Sequence, residues 1–193
     1  MASFTDLRLQ TERLNLRPLQ LADADDLFRM HSDAEFMRYW AWAPWTALAQ
    51  AVQLIESDIQ QIAAGQHVRL GLFRREDGRF VGTCSLFNLV RGCRRAEIGY
   101  GIVRAHWRQG YMAEAVGALV DWAFGPLGLN RLEADIDPRN LASARSLEKL
   151  GFLREGLLRE RWIVNGEVSD SAIYGLLARE WRAAPPGPFN PPA

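Results

Sequence analysis

The chain has 193 residues, 48% of them hydrophobic and 24% charged, and its 23 Lys+Arg balance 23 Asp+Glu. That supports one sizeable core and argues against a disordered polyelectrolyte or a broadly basic nucleic-acid-binding surface. No run of about 18 apolar residues is present, so no membrane-spanning helix is expected, and the first residues lack the basic start and apolar centre of a secretory signal. Cys84 and Cys93 stand among only three histidines, His31, His67 and His106, too scattered for a zinc cluster. The expectation is a reduced, cytoplasmic, metal-free protein. Lys149 is the only lysine, so Schiff-base chemistry has a single candidate.

Along the chain, residues 7–16 alternate Leu7, Leu9, Leu14 and Leu16 with polar neighbours, which predicts an early strand interrupted at 10–12. Residues 21–31 predict a short helix, with Asp23 and Asp26 near its positive end. Three of the seven tryptophans, Trp40, Trp42 and Trp45, follow within six positions beside Tyr39. Their spacing fits no single helix face, so they either line a groove or pack in the core. Thr46 is a candidate cap for a helix carrying Val52, Ile55, Ile59 and Ile62, which Gly65 ends. Residues 70–73 and 80–89 predict two strands around the turn Glu76-Asp77-Gly78, and 96–103 a third. A helix over 113–124, a strand over 132–136, a helix over 141–150 and a strand over 153–161 come next. Asn165-Gly166 then joins 160–164 to 168–177 as a hairpin. The Pro-rich end, 183–193, fits neither helix nor central strand and is expected as a loose tail on a single domain, 1–182. This order predicts an α/β (α+β) architecture, a central mixed sheet with helices on both faces.

The stretch 97–115 carries the chemistry. A strand runs into Arg108, Gln109 and Gly110 and then directly into a helix, whose first amides have no intrahelical partner. A phosphate or pyrophosphate would be received there by backbone N–H groups, with Arg108 adding a charge. Equally, one glycine before a helix is an ordinary turn. The segment is neither a Gly-Lys-Ser/Thr phosphate loop nor a Gly-x-Gly-x-x-Gly fingerprint, since Gly99 and Gly101 lie inside the strand.

Gln109-Gly110-Tyr111-Met112-Ala113 resembles the pyrophosphate-binding motif of the Gcn5-related N-acetyltransferases (GNAT). The chain is similar to their branch acting on N-terminal amines of ribosomal proteins, also at 11–18 (TERLNLRP), 96–100 (AEIGY), 128–133 (GLNRLE) and 140–156 (NLASARSLEKLGFLREG). The ordered set spans about residues 7–180. The resemblance implies a mostly antiparallel sheet splayed between its fourth and fifth strands, with acetyl-CoA in the opening. Its pantetheine would pair with Ile98, Gly99, Tyr100, Gly101, Ile102 and Val103, and its pyrophosphate would meet Arg108, Gln109, Gly110, Tyr111, Met112 and Ala113. Asn140, Ser143 and Ser146 would face the cofactor arm, although Asn140 and Ser143 also suit helix capping.

The implied reaction is direct attack of an amine on the thioester, with a backbone N–H near 98–100 receiving the oxyanion. Ser143 is the candidate donor to the leaving thiolate, and Tyr174 matches a recurrent tyrosine near the thiol or is a core residue. Glu97 is a candidate base through water. Some ribosomal-protein acetyltransferases place a glutamate where this chain has Trp162, so Glu160 and Asp170 are the substitutes. His31 and His106 are weaker candidates as bases, and no Cys–His pairing supports an acyl-enzyme through Cys84. Tyr39, Trp40, Trp42, Trp45 and Trp162 are the expected acceptor wall. The amine is a protein N-terminus or a small molecule, and a non-catalytic acyl-CoA binder is the alternative. Monomer and homodimer stay open, and neither nucleic acid nor membrane is an expected partner.

Overall fold

The computed structural model describes residues 3–183. The elements run β1 (Leu9–Gln10), β2 (Leu14–Pro18), α1 (Ala24–Ser32), α2 (Ala34–Met37), α3 (Leu48–Ala63), β3 (Val68–Arg74), β4 (Phe80–Val90), β5 (Arg95–Ile102), α4 (Tyr111–Phe124), β6 (Arg131–Ile136), α5 (Leu141–Lys149), β7 (Leu153–Val164), β8 (Glu167–Leu177) and α6 (Ala178–Ala183). The strands form one sheet in the order β1-β2-β3-β4-β5-β6-β8-β7. All neighbours are antiparallel except β5 and β6, whose parallel relation needs the crossover that α4 provides.

Strand alternation builds the core. Leu70, Leu72, Cys84, Leu86, Ile98, Leu132 and Ala134 pack with Val116, Leu119 and Val120 of α4 and Leu147 of α5. Each fully buried Leu or Ile contributes about 1.5–3 kcal/mol. On the other face, Leu27, Met30, Ala51 and Ile55 of α1 and α3 cover Leu19, Phe73 and Phe80.

The sheet is splayed at one place. β5 and β6 pair only from Arg95↔Arg131 to Glu97↔Glu133, after which the two strands continue without pairing each other. This is the opening expected between strands four and five, because β1 is a two-residue strand ahead of the main series. At its apex, Arg95 and Arg131 both bind Glu133, and Arg131 also binds Glu155.

Local structure departs from the sequence reading in four places. The interruption at 10–12 is a tight hairpin: Leu9 pairs with Leu16, and Leu14 N–H donates to Thr11 Oγ1 at 3.0 Å. The helix expected over 21–31 opens with a 3-10 turn, Leu21–Asp23, before α1 begins. Thr46 does not cap α3. The Gln50 side chain instead accepts the Thr46 and Ala47 amides at 2.9 and 3.1 Å, leaving Ala47 at the cap. The two segments 153–161 and 160–164 are one strand, β7, with residues 159–161 bulged opposite Asp170. The Pro-rich tail lies outside the described residues.

Candidate active site

One arm of the site is the loop entering α4. Gly110 is the N-cap with φ +82°, and no side chain caps the helix, so the amides of residues 111–113 stay available for an anion. The loop is braced from the N-terminal hairpin. Arg13 donates to the Gln109 carbonyl at 2.9 Å and binds the buried Glu114 through Nε and Nη2, both at 2.7 Å, while its guanidinium lies 4.6 Å from the Tyr111 ring centre. Thr11 Oγ1 and the Arg13 amide also donate to Glu114. The Thr11–Arg13 corner therefore holds the loop in shape. A Cβ on Gly110 would stand 3.3 Å from Arg13 Nη2, so the position is restricted by both φ and space.

At the centre, Tyr100 reaches from β5 to α5, its hydroxyl 2.8 Å from Ser143 Oγ. Burial pushes the Tyr100 phenol well above its ordinary range, offset in part by the Ser143 hydrogen bond, so it stays protonated at neutral pH. Asn140 caps α5 by accepting the Ser143 amide at 3.1 Å. Ser146, one turn on, donates to the Ala142 carbonyl at 2.8 Å. Glu97 stands at the apex of the splay and accepts from Asn88 Nδ2 at 2.9 Å.

A cavity of about 690 Å³ opens beside this centre. Its lining includes Ile98, Gly99, Tyr100, Asn140, Ser143 and Glu97, with Tyr39, Trp40, Trp42 and Trp162 on the walls. Because β3, β4 and β5 are in register, Arg69, Ser85 and Gly99 form one row on the same sheet face. Gly99 leaves the floor low, since a Cβ there would lie 3.1 Å from Ser85 Oγ.

Other expected residues lie elsewhere. Trp45 is behind the wall, stacked on His31 with ring centres 4.2 Å apart. Burial lowers the His31 pKa to about 4, and its Nδ1 is 3.0 Å from the Leu27 carbonyl, so the ring is neutral at pH 7. His106 packs edge-on to Tyr111, outside the cavity lining, its pKa lowered chiefly by desolvation. Glu160 sits in the β7 bulge at φ +52°, exposed and outside the lining, with its amide donating to Asp170 at 2.8 Å. Tyr174 is buried and points its hydroxyl to Glu148, 3.4 Å away. Gly101 lies beneath Phe36 and Trp40; Ile102 finishes β5, its carbonyl accepting from Trp107 Nε1, and Val103 follows with its amide bonded to the Val81 carbonyl. Burial pushes the Cys84 thiol up to about 12, which removes it as a nucleophile.

Several lining residues were not singled out from sequence. His67, Arg69, Thr83, Ser85 and Asn88 come from β3, β4 and the turn before β3. The available signal was polar Arg69 between the apolar Val68 and Leu70, one residue outside the strand expected over 70–73.

The unpaired edge of β5 and the open amides at α4 fit a pantetheine arm and a pyrophosphate. Comparison with known proteins agrees. A family model described as "Acetyltransferase (GNAT) domain" matches residues 13–153. The chain is similar to an uncharacterised N-acetyltransferase, p20, of Bacillus licheniformis, 39% identical over 173 residues and covering 90% of this chain and 97% of that one. It is 27% identical to the spermidine N(1)-acetyltransferase of Escherichia coli K12, covering 88% and 89% of the two chains. A solved structure from Vibrio cholerae, "a putative ribosomal-protein-serine acetyltransferase", superposes with a TM-score of 0.79 at 28% identity, covering 90% and 98%. The splayed sheet, the braced loop and the family match together place this chain in the GNAT family, as an acetyl-CoA-dependent N-acetyltransferase.

Proposed function

We propose that the chain acetylates the primary amine of a small molecule. The observation that supports this most is the cavity itself: about 690 Å³, within the usual span of small-ligand sites, and walled by Tyr39, Trp40, Trp42 and Trp162. The similarity to a spermidine acetyltransferase points the same way.

When bound, acetyl-CoA supplies a thioester for direct attack: the N–C bond forms, the C–S bond breaks, the nitrogen sheds its surplus protons and the thiolate takes one. The chain's residues divide the remaining work. Glu97, beside the floor at Gly99, takes the amine's proton through water. A backbone N–H at 98–100 receives the developing oxyanion. Ser143, paired with the protonated Tyr100, donates to the departing sulfur. The β5 edge that carries Ile98, Tyr100 and Ile102 past its last β6 pair offers backbone to the pantetheine arm, whereas Gly99, Gly101 and Val103 turn theirs toward β4; Arg108, Gln109, Met112 and Ala113 surround the pyrophosphate, with Ser146 along the same route.

A protein N-terminus is the second reading, favoured by the ribosomal-protein branch that the motifs resemble and by the Vibrio cholerae structure. Thiol release from acetyl-CoA, measured against small amines and N-terminal peptides, tests the order. We expect kcat/KM to be higher for at least one small amine than for any peptide, and the reverse ranking would replace the first reading with the second.

A further inference from the structure

The far end of the cavity floor holds charge that the reaction above does not use. Asp58 of α3 is 3% exposed and lies between two β3-side groups, with Arg69 Nε 3.1 Å from Oδ2 and His67 Nε2 3.2 Å from Oδ1. The approach is close but poorly aligned: Asp58 Oδ2, His67 Nε2 and Arg69 Nε are all buried without a well-directed hydrogen bond. Asp58 thus anchors the Nε edge of the Arg69 guanidinium. The two Nη groups have no protein acceptor among the described residues, and Arg69 lines the cavity. Thr83, 5% exposed and also lining it, has no side-chain partner among the described residues.

The carboxylates around the cavity are engaged differently. Asp135 is held by Arg161, and Asp137 and Glu167 by Arg139. Glu97 accepts from Asn88 at the apex. A second ammonium group would therefore meet no unpaired carboxylate at the Arg69 end. An anion would meet a planar fork with open donors, the geometry that receives a carboxylate through two parallel hydrogen bonds.

We propose that the acceptor is an amine that also bears a carboxylate, an amino-acid-like molecule whose carboxylate binds Arg69 while its amine lies over Gly99 beside Glu97. Arg69 and Gly99 line the same cavity from one sheet face, two strand spacings or about 10 Å apart between backbones. That separation, less a hydrogen bond of about 3 Å at the carboxylate, suits an amine and a carboxylate a few bonds apart. This assignment rests on the small-amine reading above and narrows it.

The test uses the full chain and acetyl-CoA with free amino acids, β-alanine and γ-aminobutyrate, their methyl esters, and spermidine. The wild type should favour a free carboxylate over its ester by at least tenfold in kcat/KM. Removing Arg69 alone strands Asp58, so the variants are Arg69→Lys, which keeps the charge without the fork, and the double variant Arg69→Met with Asp58→Asn. Both should lose the preference through a KM rise of at least tenfold, with acetyl-CoA affinity unchanged by calorimetry. Preferential turnover of esters or of spermidine, or an intact preference in both variants, overturns the Arg69 assignment and leaves the acetyltransferase reading standing. No turnover of any amine, together with no Arg69-dependent binding of amino acids to the protein–CoA complex, overturns both.

Discussion

The two halves of the site are built in opposite ways. The cofactor half is nearly continuous in sequence: β5, the loop 103–110 and the start of α4 follow one another, with one brace from the Thr11–Arg13 corner. The acceptor half is gathered from far apart, with the 39–44 loop, Asp58 of α3, the start of β3 and β4, and the β7–β8 hairpin each supplying a part. The first half uses backbone amides and one glycine, which any acyl-CoA can exploit. The second uses side chains whose identities decide what enters. Cofactor binding and acceptor choice should therefore be separable by mutation.

The largest expected effect is on the brace. Arg13→Ala leaves Glu114, 3% exposed, as a buried carboxylate without its cation, and should cost about 3–5 kcal/mol in denaturant unfolding. A loss under 1 kcal/mol would mean the hairpin is not what holds the loop.

Next is Gly110→Val, which forces a β-branched residue to φ +82° at the anion-receiving turn. Acetyl-CoA affinity should fall on the order of 100-fold because backbone approach is lost. Gly128→Val is the control: it has φ +71° with open space around its Cβ, so it carries similar backbone strain far from the loop. Equal affinity losses in the two variants would show that strain, not position, is responsible.

Smaller again is Ser143→Ala. Turnover should drop about tenfold, the worth of one hydrogen bond to a developing charge, with cofactor affinity held. The Asn140 cap survives, since it uses the Ser143 amide, so stability should change little. An unchanged rate would remove Ser143 from the chemistry.

The smallest effect sharpens the acceptor side alone. His31 releases its proton at about pH 4 when folded, against 6.5 as the ordinary value, because burial among Trp45, Phe36 and Trp40 penalises the cation. Between those values the unfolded chain takes up a proton that the folded chain refuses, so stability falls as pH drops below 6.5 and is unaffected above it. At pH 5.5 the loss should be roughly 1 kcal/mol. Thermal melts of wild type and His31→Phe at pH 7.5 and 5.5 check it: the wild type should lose more stability on acidification, and parallel losses would contradict the assignment.

How much was legible in the residues follows from range. Apolar periodicity located α3, α4 and the strands at 80–89 and 96–103 within one or two positions, because both patterns come from neighbours in the chain. Boundaries failed where a distant partner or a single side chain decided them. Gln50 moved the α3 cap, and pairing with β8 merged two predicted segments into β7. Glu160 was offered as a substitute for the carboxylate missing at Trp162, two residues on, but the bulge opposite Asp170 means that simple strand alternation does not set its direction. Arg69 was passed over because a lone arginine beside an apolar strand reads as an edge residue until α3 brings Asp58 against it.

The sequence by itself determined the alternating and helical elements, the glycine at the entrance to α4 and the ordered motifs of an acetyltransferase, all properties of short contiguous stretches. Only the tertiary structure decided which polar side chains share the cavity. Arg69, Ser85 and Gly99 become neighbours through strand register, and Asp58 joins them through helix packing, since long-range pairing places on one surface residues that no local pattern relates.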